Sequence, residues 1–157
     1  MYQSHRRPRE QGFSLMELLI VIAIIGILAS IVVVSLQAGI RSANETAAIA
    51  HLDTIRKGQT QYALSHKGEY GTFDQLIKAG YLDKEFAGET PIVKGYVFTM
   101  KITPKSANQP ASFSVNADPQ QADGVGATGS RYFYIDPNVS TVRQNDQGPA
   151  GPNDPGI

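Results

Sequence analysis

Residues 11 to 40 read QGFSLMELLIVIAIIGILASIVVVSLQAGI. From Leu18 to Ile40 this stretch holds 23 residues without a charged side chain, and a bilayer core is spanned by a helix of about 20 apolar residues. Ahead of it stands MYQSHRRPREQG, with Arg6, Arg7 and Arg9 against Glu10. Basic clusters stay on the cytoplasmic side, so the segment is expected to sit amino end in and carboxyl end out. Beyond Ile40 the chain turns mixed and polar, so the mean hydropathy of −0.20 averages two unlike parts. With 14 Lys and Arg against 14 Asp and Glu the formal charge is zero, which gives no ground for a nucleic-acid partner. No cysteine is present, which excludes a disulfide framework, a thiolate zinc site and a cysteine nucleophile.

Two ordinary readings of the apolar run are a cleaved secretory signal and a plain anchor. A signal peptide has an apolar region of about 7–15 residues ending in a small-x-small site. This run is longer, and Ile27-Leu28-Ala29 fits that site poorly. Neither reading accounts for Glu17. A carboxylate in hydrocarbon costs roughly 2.5–3.5 kcal/mol, and no cation follows it until Arg41. A cut between Gly12 and Phe13 would create an α-amine at Phe13, at i, i+4 from Glu17 on one helix face.

The run Gln11-Gly12-Phe13-Ser14-Leu15-Met16-Glu17-Leu18-Leu19-Ile20-Val21 resembles the cleavage and methylation motif of type IV pilins and type II secretion pseudopilins. The resemblance implies a leader removed after Gly12 by a membrane aspartic peptidase, which also methylates the new amino terminus at Phe13. It implies that Glu17 pairs with a Phe13 amine during assembly into a helical homopolymer, with pilus or secretion machinery as further partners. The subunit would wait in a bacterial inner membrane, amino end cytoplasmic and head outside, before entering an extracellular or periplasmic filament. Where the family often carries a proline, this chain has Val34. It lacks the carboxyl-terminal cysteine pair of many pilins and the Asp-rich loop of many major pseudopilins. A pilus subunit is the first reading and a secretion pseudopilin the alternative. A membrane-anchored enzyme or binding domain would need a reactive cluster in the head.

The helix is expected to continue, since no proline occurs from Gln37 to Ser65 and Ala48, Leu52, Ile55 and Tyr62 recur at helical spacing. Arg41, Asn44, Glu45, Asp53 and Arg56 supply polar positions, and Glu45 reads as an exposed charge. Thr72-Phe73-Asp74-Gln75 has the spacing of a capping box, opening a short helix with Leu76 and Ile77 inward and Gly80 at its end. Ile92 to Thr103 alternates as one strand, with Tyr96, Phe98, Met100 and Ile102 on one face. Phe113 and Val115 mark a second strand, Arg131 to Ile135 a third and Val139 to Arg143 a fourth. The closing GPAGPNDPGI holds six Gly or Pro in ten residues and is expected to be irregular or mobile. The expected architecture is α+β and pilin-like: a long N-terminal helix, transmembrane in its first half, packed on a small antiparallel sheet. The expected divisions are a leader at 1–12, a membrane and filament-core helix at 13–40, a head at 41–147 and a tail at 148–157.

Other candidates have ordinary explanations. Asp118, Asp123 and Asp136 do not match an EF-hand spacing and suit turns, so no metal or other cofactor is expected. Ser65, His66 and Asp74 do not form a triad pattern. His66 is expected near helix-end carbonyls, and His51 among solvated polar residues. Tyr132 and Tyr134 share a strand face, as cross-strand aromatics do. Gly26 and Ser30 form a small-x-x-x-small pair suited to close helix packing. No catalytic residue is expected.

Overall fold

The computed structural model describes residues 12–157, and the side chains of all of these except 31–35. The expected leader, with Arg6, Arg7, Arg9 and Glu10, lies outside the described residues apart from Gly12. The chain divides into two units, Met1–Leu36 and Gln37–Ile157. Helix α1, Leu15–Ser65, runs through both. Among the described residues no helix is long and apolar enough to cross a membrane. The expectation of a transmembrane half rests on the uncharged run from Leu18 to Ile40, which includes 31–35, outside the described side chains.

In the second unit, α1 buries Ala48, Leu52, Ile55 and Tyr62, the stripe that helical spacing predicts. Its carboxyl end closes where Lys67 and Gly68 take positive φ (55° and 85°) and the Gly68 N–H returns to the Ala63 carbonyl at 2.9 Å. Helix α2, Phe73–Lys78, opens with a complete capping box. The Thr72 N–H donates to Gln75 Oε1 at 2.8 Å, and the Gln75 N–H to Thr72 Oγ1 at 3.4 Å. Gly80, with φ 79°, follows its C-cap, and a 3-10 turn at Lys84–Phe86 buries Phe86.

Five strands follow as an antiparallel meander: β1 Ile92–Val93, β2 Tyr96–Thr103, β3 Ser112–Pro119, β4 Tyr132–Ile135 and β5 Arg143–Asn145. The single strand expected from Ile92 to Thr103 is a hairpin. Lys94 and Gly95 both adopt positive φ (48° and 74°), the geometry of a two-residue turn whose twist matches its strands, and Val93 pairs with Tyr96. The alternation of β2 holds: Tyr96 and Phe98 are buried, and Met100 and Ile102 pack against the core. Together with Val115, Phe133 and Ile135 they form one cluster with the α1 stripe.

The fourth strand expected at Val139 to Arg143 lies later, at Arg143–Asn145. Asp136 is the reason. Its Oδ1 accepts the N–H groups of Asn138 (2.7 Å) and Val139 (3.0 Å), which holds that segment in a turn while Val139 and Val142 are buried. The Gly- and Pro-rich end is irregular, yet it is fastened. Ala150 is buried, and its carbonyl accepts from Asn116 Nδ2 at 2.8 Å. The Gln144 N–H donates to the Pro155 carbonyl, and the Ile157 N–H to that of Val142. Asp154 Oδ2 caps the Gly151 N–H at 2.8 Å. The end is irregular, as expected, and its polar groups find partners on β3, on β5 and at Val142.

Candidate processing and assembly site

Gly12, Phe13 and Ser14 are non-helical and exposed, and α1 begins at Leu15. Phe13 is 90 % exposed. What stops the helix there is Ser14 with Glu17. Glu17 Oε2 accepts the Ser14 N–H at 3.0 Å, and Ser14 Oγ accepts the Met16 N–H at 3.3 Å. Ser-x-x-Glu is a capping-box spacing. Sequence reasoning missed this role for Ser14, although the spacing alone would have found it. Glu17 thus satisfies an otherwise orphaned amide, and its negative charge lies in the first turn, where the helix dipole favours it.

Behind the cap, Leu18, Leu19, Ile20, Val21, Ile22, Ile24, Ile25, Ile27 and Leu28 stand 47–64 % exposed. Apolar surface on every side of a helix is buried in a membrane or against other helices. Gly26 has open space where a side chain would be, and Ser30 Oγ donates to the Ile27 carbonyl at 2.7 Å. The small pair therefore presents a smooth patch, with its hydroxyl satisfied within its own helix.

In the head the expected site residues do not converge. Among the described residues no group of three or more metal-ligating side chains occurs. Asp136 is occupied by its turn and accepts the Tyr134 hydroxyl at 2.9 Å. Burial and this carboxylate push the Tyr134 hydroxyl up to about 12. Asp123 is exposed, and Asp118 sits on β3, where burial raises its carboxyl above the ordinary range. His66 lies as expected at a helix end, with Nδ1 3.0 Å from the Tyr62 carbonyl and its ring stacked on Tyr62. His51 is half-buried, with Nδ1 3.9 Å from Glu85 Oε1. It packs edge-on against Phe86 and Phe98, because its position faces the aromatic end of the core.

Glu45 is the main correction. The expected exposed charge is 6 % exposed. Its Oε1 accepts the Ser130 N–H and hydroxyl (2.8 and 2.9 Å), and its Oε2 lies 2.9 Å from both Nε and Nη2 of Arg131. Gln59, 0 % exposed, clamps Gly71 in the same way, donating to its carbonyl at 2.6 Å and accepting its N–H at 3.0 Å. Residues 45, 48, 52, 55, 59 and 62 are spaced 3, 4, 3, 4 and 3 apart, so continuing the apolar stripe would have placed both on the core face.

The family model for the prokaryotic N-terminal methylation motif matches residues 7–33. The type IV wide pilus major component PilA4 of Thermus thermophilus is 40% identical over 70 residues, 45% of this chain and 53% of that protein. Type II secretion system core protein G of Aeromonas hydrophila is 32% identical over 74 residues, 47% of this chain and 51% of that protein. Core protein G of Pectobacterium carotovorum is 32% identical over 71 residues, 45% of each. The chain spans about half the length of the curated relatives it matches. No solved structure matches. With a capped helix behind Gly12-Phe13 and a Glu17 in its first turn, the chain carries the prokaryotic N-terminal methylation motif, and over its matched part it is similar to a type IV pilin and to type II secretion core proteins.

Proposed function

We propose that this chain is a structural subunit of a type IV pilus or pilus-like filament, cut after Gly12 by prepilin peptidase and assembled through its amino-terminal helix. It is not an enzyme. The observation that carries this reading is an exposed, non-helical Gly12-Phe13 peptide directly before a capped helix whose apolar side chains are exposed along its first turns. A peptidase reaches such a bond without unwinding the helix. Before assembly the apolar run from Leu18 to Ile40 would lie in the inner membrane, with the head outside. Afterwards it would lie among the same helices of other copies. The cut also creates the Phe13 amine one turn from Glu17, and in a low-dielectric core that pair would set the register between subunits. The two matches to core protein G favour a secretion pseudopilin as the second reading.

Intact-mass measurement of the membrane-derived protein tests the proposal. The mature chain should begin at Phe13 with a methylated amine, leaving 11 basic and 13 acidic side chains. Retention of Met1, or a cut near Ala29, would overturn it. Electron microscopy of sheared filaments, with the subunit identified by mass, separates a surface pilus from a secretion filament.

A further inference from the structure

Strand β2 is eight residues long, but β1 covers only its first two, Tyr96 and Val97. One more bond, from the Phe98 N–H to the Pro91 carbonyl at 2.9 Å, extends the pairing. In an antiparallel strand the N–H and C=O of one residue point to the same side, and successive residues alternate. The Phe98 N–H points away from β3, so those of Met100 and Ile102 do too. Among the described strands none pairs with β2 there. Beside this open stretch lies a groove of about 450 Å³ whose walls include Phe73, Asp74, Gly88, Glu89, Met100 and Ile102. The Gly88 N–H donates to Asp74 Oδ1 at 3.1 Å, which fixes the far wall.

We propose that this edge is a strand-addition site for an extended basic segment of a partner protein. The backbone of the segment would pair with Met100 and Ile102, the mode in which main-chain bonds supply affinity and alternate side chains supply selectivity. The charge follows from the walls: the charged residues lining the groove, Asp74 and Glu89, are both acidic and exposed. Lys101 is exposed on the opposite face of β2 from Met100 and Ile102. A partner strand that alternates lysine toward the carboxylates with an apolar residue toward the Lys101 face satisfies both sides. This site is independent of the amino-terminal segment and of the filament reading.

The test uses the full chain in non-ionic detergent and three labelled hexapeptides, read by fluorescence anisotropy. One alternates Lys and Val, one alternates Glu and Val, and the third is the Lys peptide N-methylated at alternate amides. The Lys peptide should bind at least tenfold more tightly than either of the others. Ile102→Pro should weaken its binding at least tenfold, because it deletes an edge-facing N–H without touching the β3 ladder, while Ile102→Ala should stay within about threefold. Equal binding of the Glu peptide, undiminished binding of the N-methylated peptide, or full binding by a folded Ile102→Pro chain would each overturn the proposal. The N-methylated peptide decides the matter if that variant does not fold. Self-association that the proline variant abolishes, with no peptide bound, would assign the edge to a second copy and overturn it as well.

Discussion

Glu45 on α1 and Arg131, just before β4, form an ion pair in which two guanidinium nitrogens lie 2.9 Å from one carboxylate oxygen. The two residues are 86 apart in sequence, so the pair ties the spine helix to the far half of the sheet. Ser130 supplies two more donors, and Arg131 Nη1 donates onward to Gln144 on β5 at 2.7 Å. Replacing Glu45 by Ala leaves those donors without their acceptor. The expected cost is roughly 1.5–3 kcal/mol, the scale of hydrogen bonds to a charged group. It should appear as a fall of roughly 5–15 °C in the Tm of the full chain in detergent, whereas Asp146→Asn, at an exposed position, should stay within about 0.5 kcal/mol of the parent.

The same pair gives the stability a pH dependence. Burial works to raise the Glu45 carboxyl, but the Ser130 and Arg131 donors outweigh it and hold the group below its ordinary value. A carboxylate held low in the folded state stabilises the fold above its ordinary pKa and loses that contribution as pH falls through the folded value. Asp118 acts in the opposite sense: raised by burial, it favours the fold when protonated and opposes it when ionised. Asp118→Asn should therefore raise the Tm at pH 7, and its advantage should shrink toward pH 4. Glu45→Gln should lower the Tm at pH 7 and converge on the parent in more acid solution. Thermal melts across pH 3–8 check both.

The carboxyl-terminal segment should behave as part of the fold. Deleting residues 148–157 removes buried Ala150 and the partners of Asn116 Nδ2, the Gln144 N–H and the Val142 carbonyl. A loss of about 2–4 kcal/mol is expected from these groups together. Limited proteolysis of the intact chain should leave the segment uncut under conditions that cleave the exposed 105–110 turn. Rapid trimming of the last ten residues would show that they are not fastened.

Glu17 has two separable roles, a helix cap and a charge. Glu17→Gln keeps an oxygen that can accept the Ser14 N–H and removes the charge, while Glu17→Ala removes both. If the charge meets the Phe13 amine in the filament, both variants should lose filaments, with membrane insertion intact and cleavage after Gly12 still occurring. An amine buried without its partner costs about 3–5 kcal/mol, and the deficit recurs at every subunit. Glu45 does not serve as the silent control for this experiment, because its loss destabilises the head, so Asp146→Asn takes that place. Normal filaments from Glu17→Gln, counted by electron microscopy, would rule out the charge pair.

What the sequence determined by itself is local. The arginines ahead of Gly12, Gly12-Phe13, Glu17 and the uncharged run are contiguous, and their meaning depends on spacing along the chain. The stripe of Ala48, Leu52, Ile55 and Tyr62, the Thr72–Gln75 capping box and the alternation of β2 are legible for the same reason, since each follows the period of one element. Only the tertiary structure decided how the polar residues on the core face are satisfied. Glu45 and Gln59 sit on the core stripe because Ser130, Arg131 and Gly71 arrive from elsewhere to satisfy them, and a buried polar group is tolerated only with such partners. It likewise fastened the Gly- and Pro-rich end, whose composition lacks a pattern of its own, and left β2 with an open edge. The period of α1 reaches as far as putting residues 45 and 59 on the core face, but the donors and acceptors that satisfy them, and that fasten the end of the chain, meet across the fold, and no periodicity within a single segment encodes those partners.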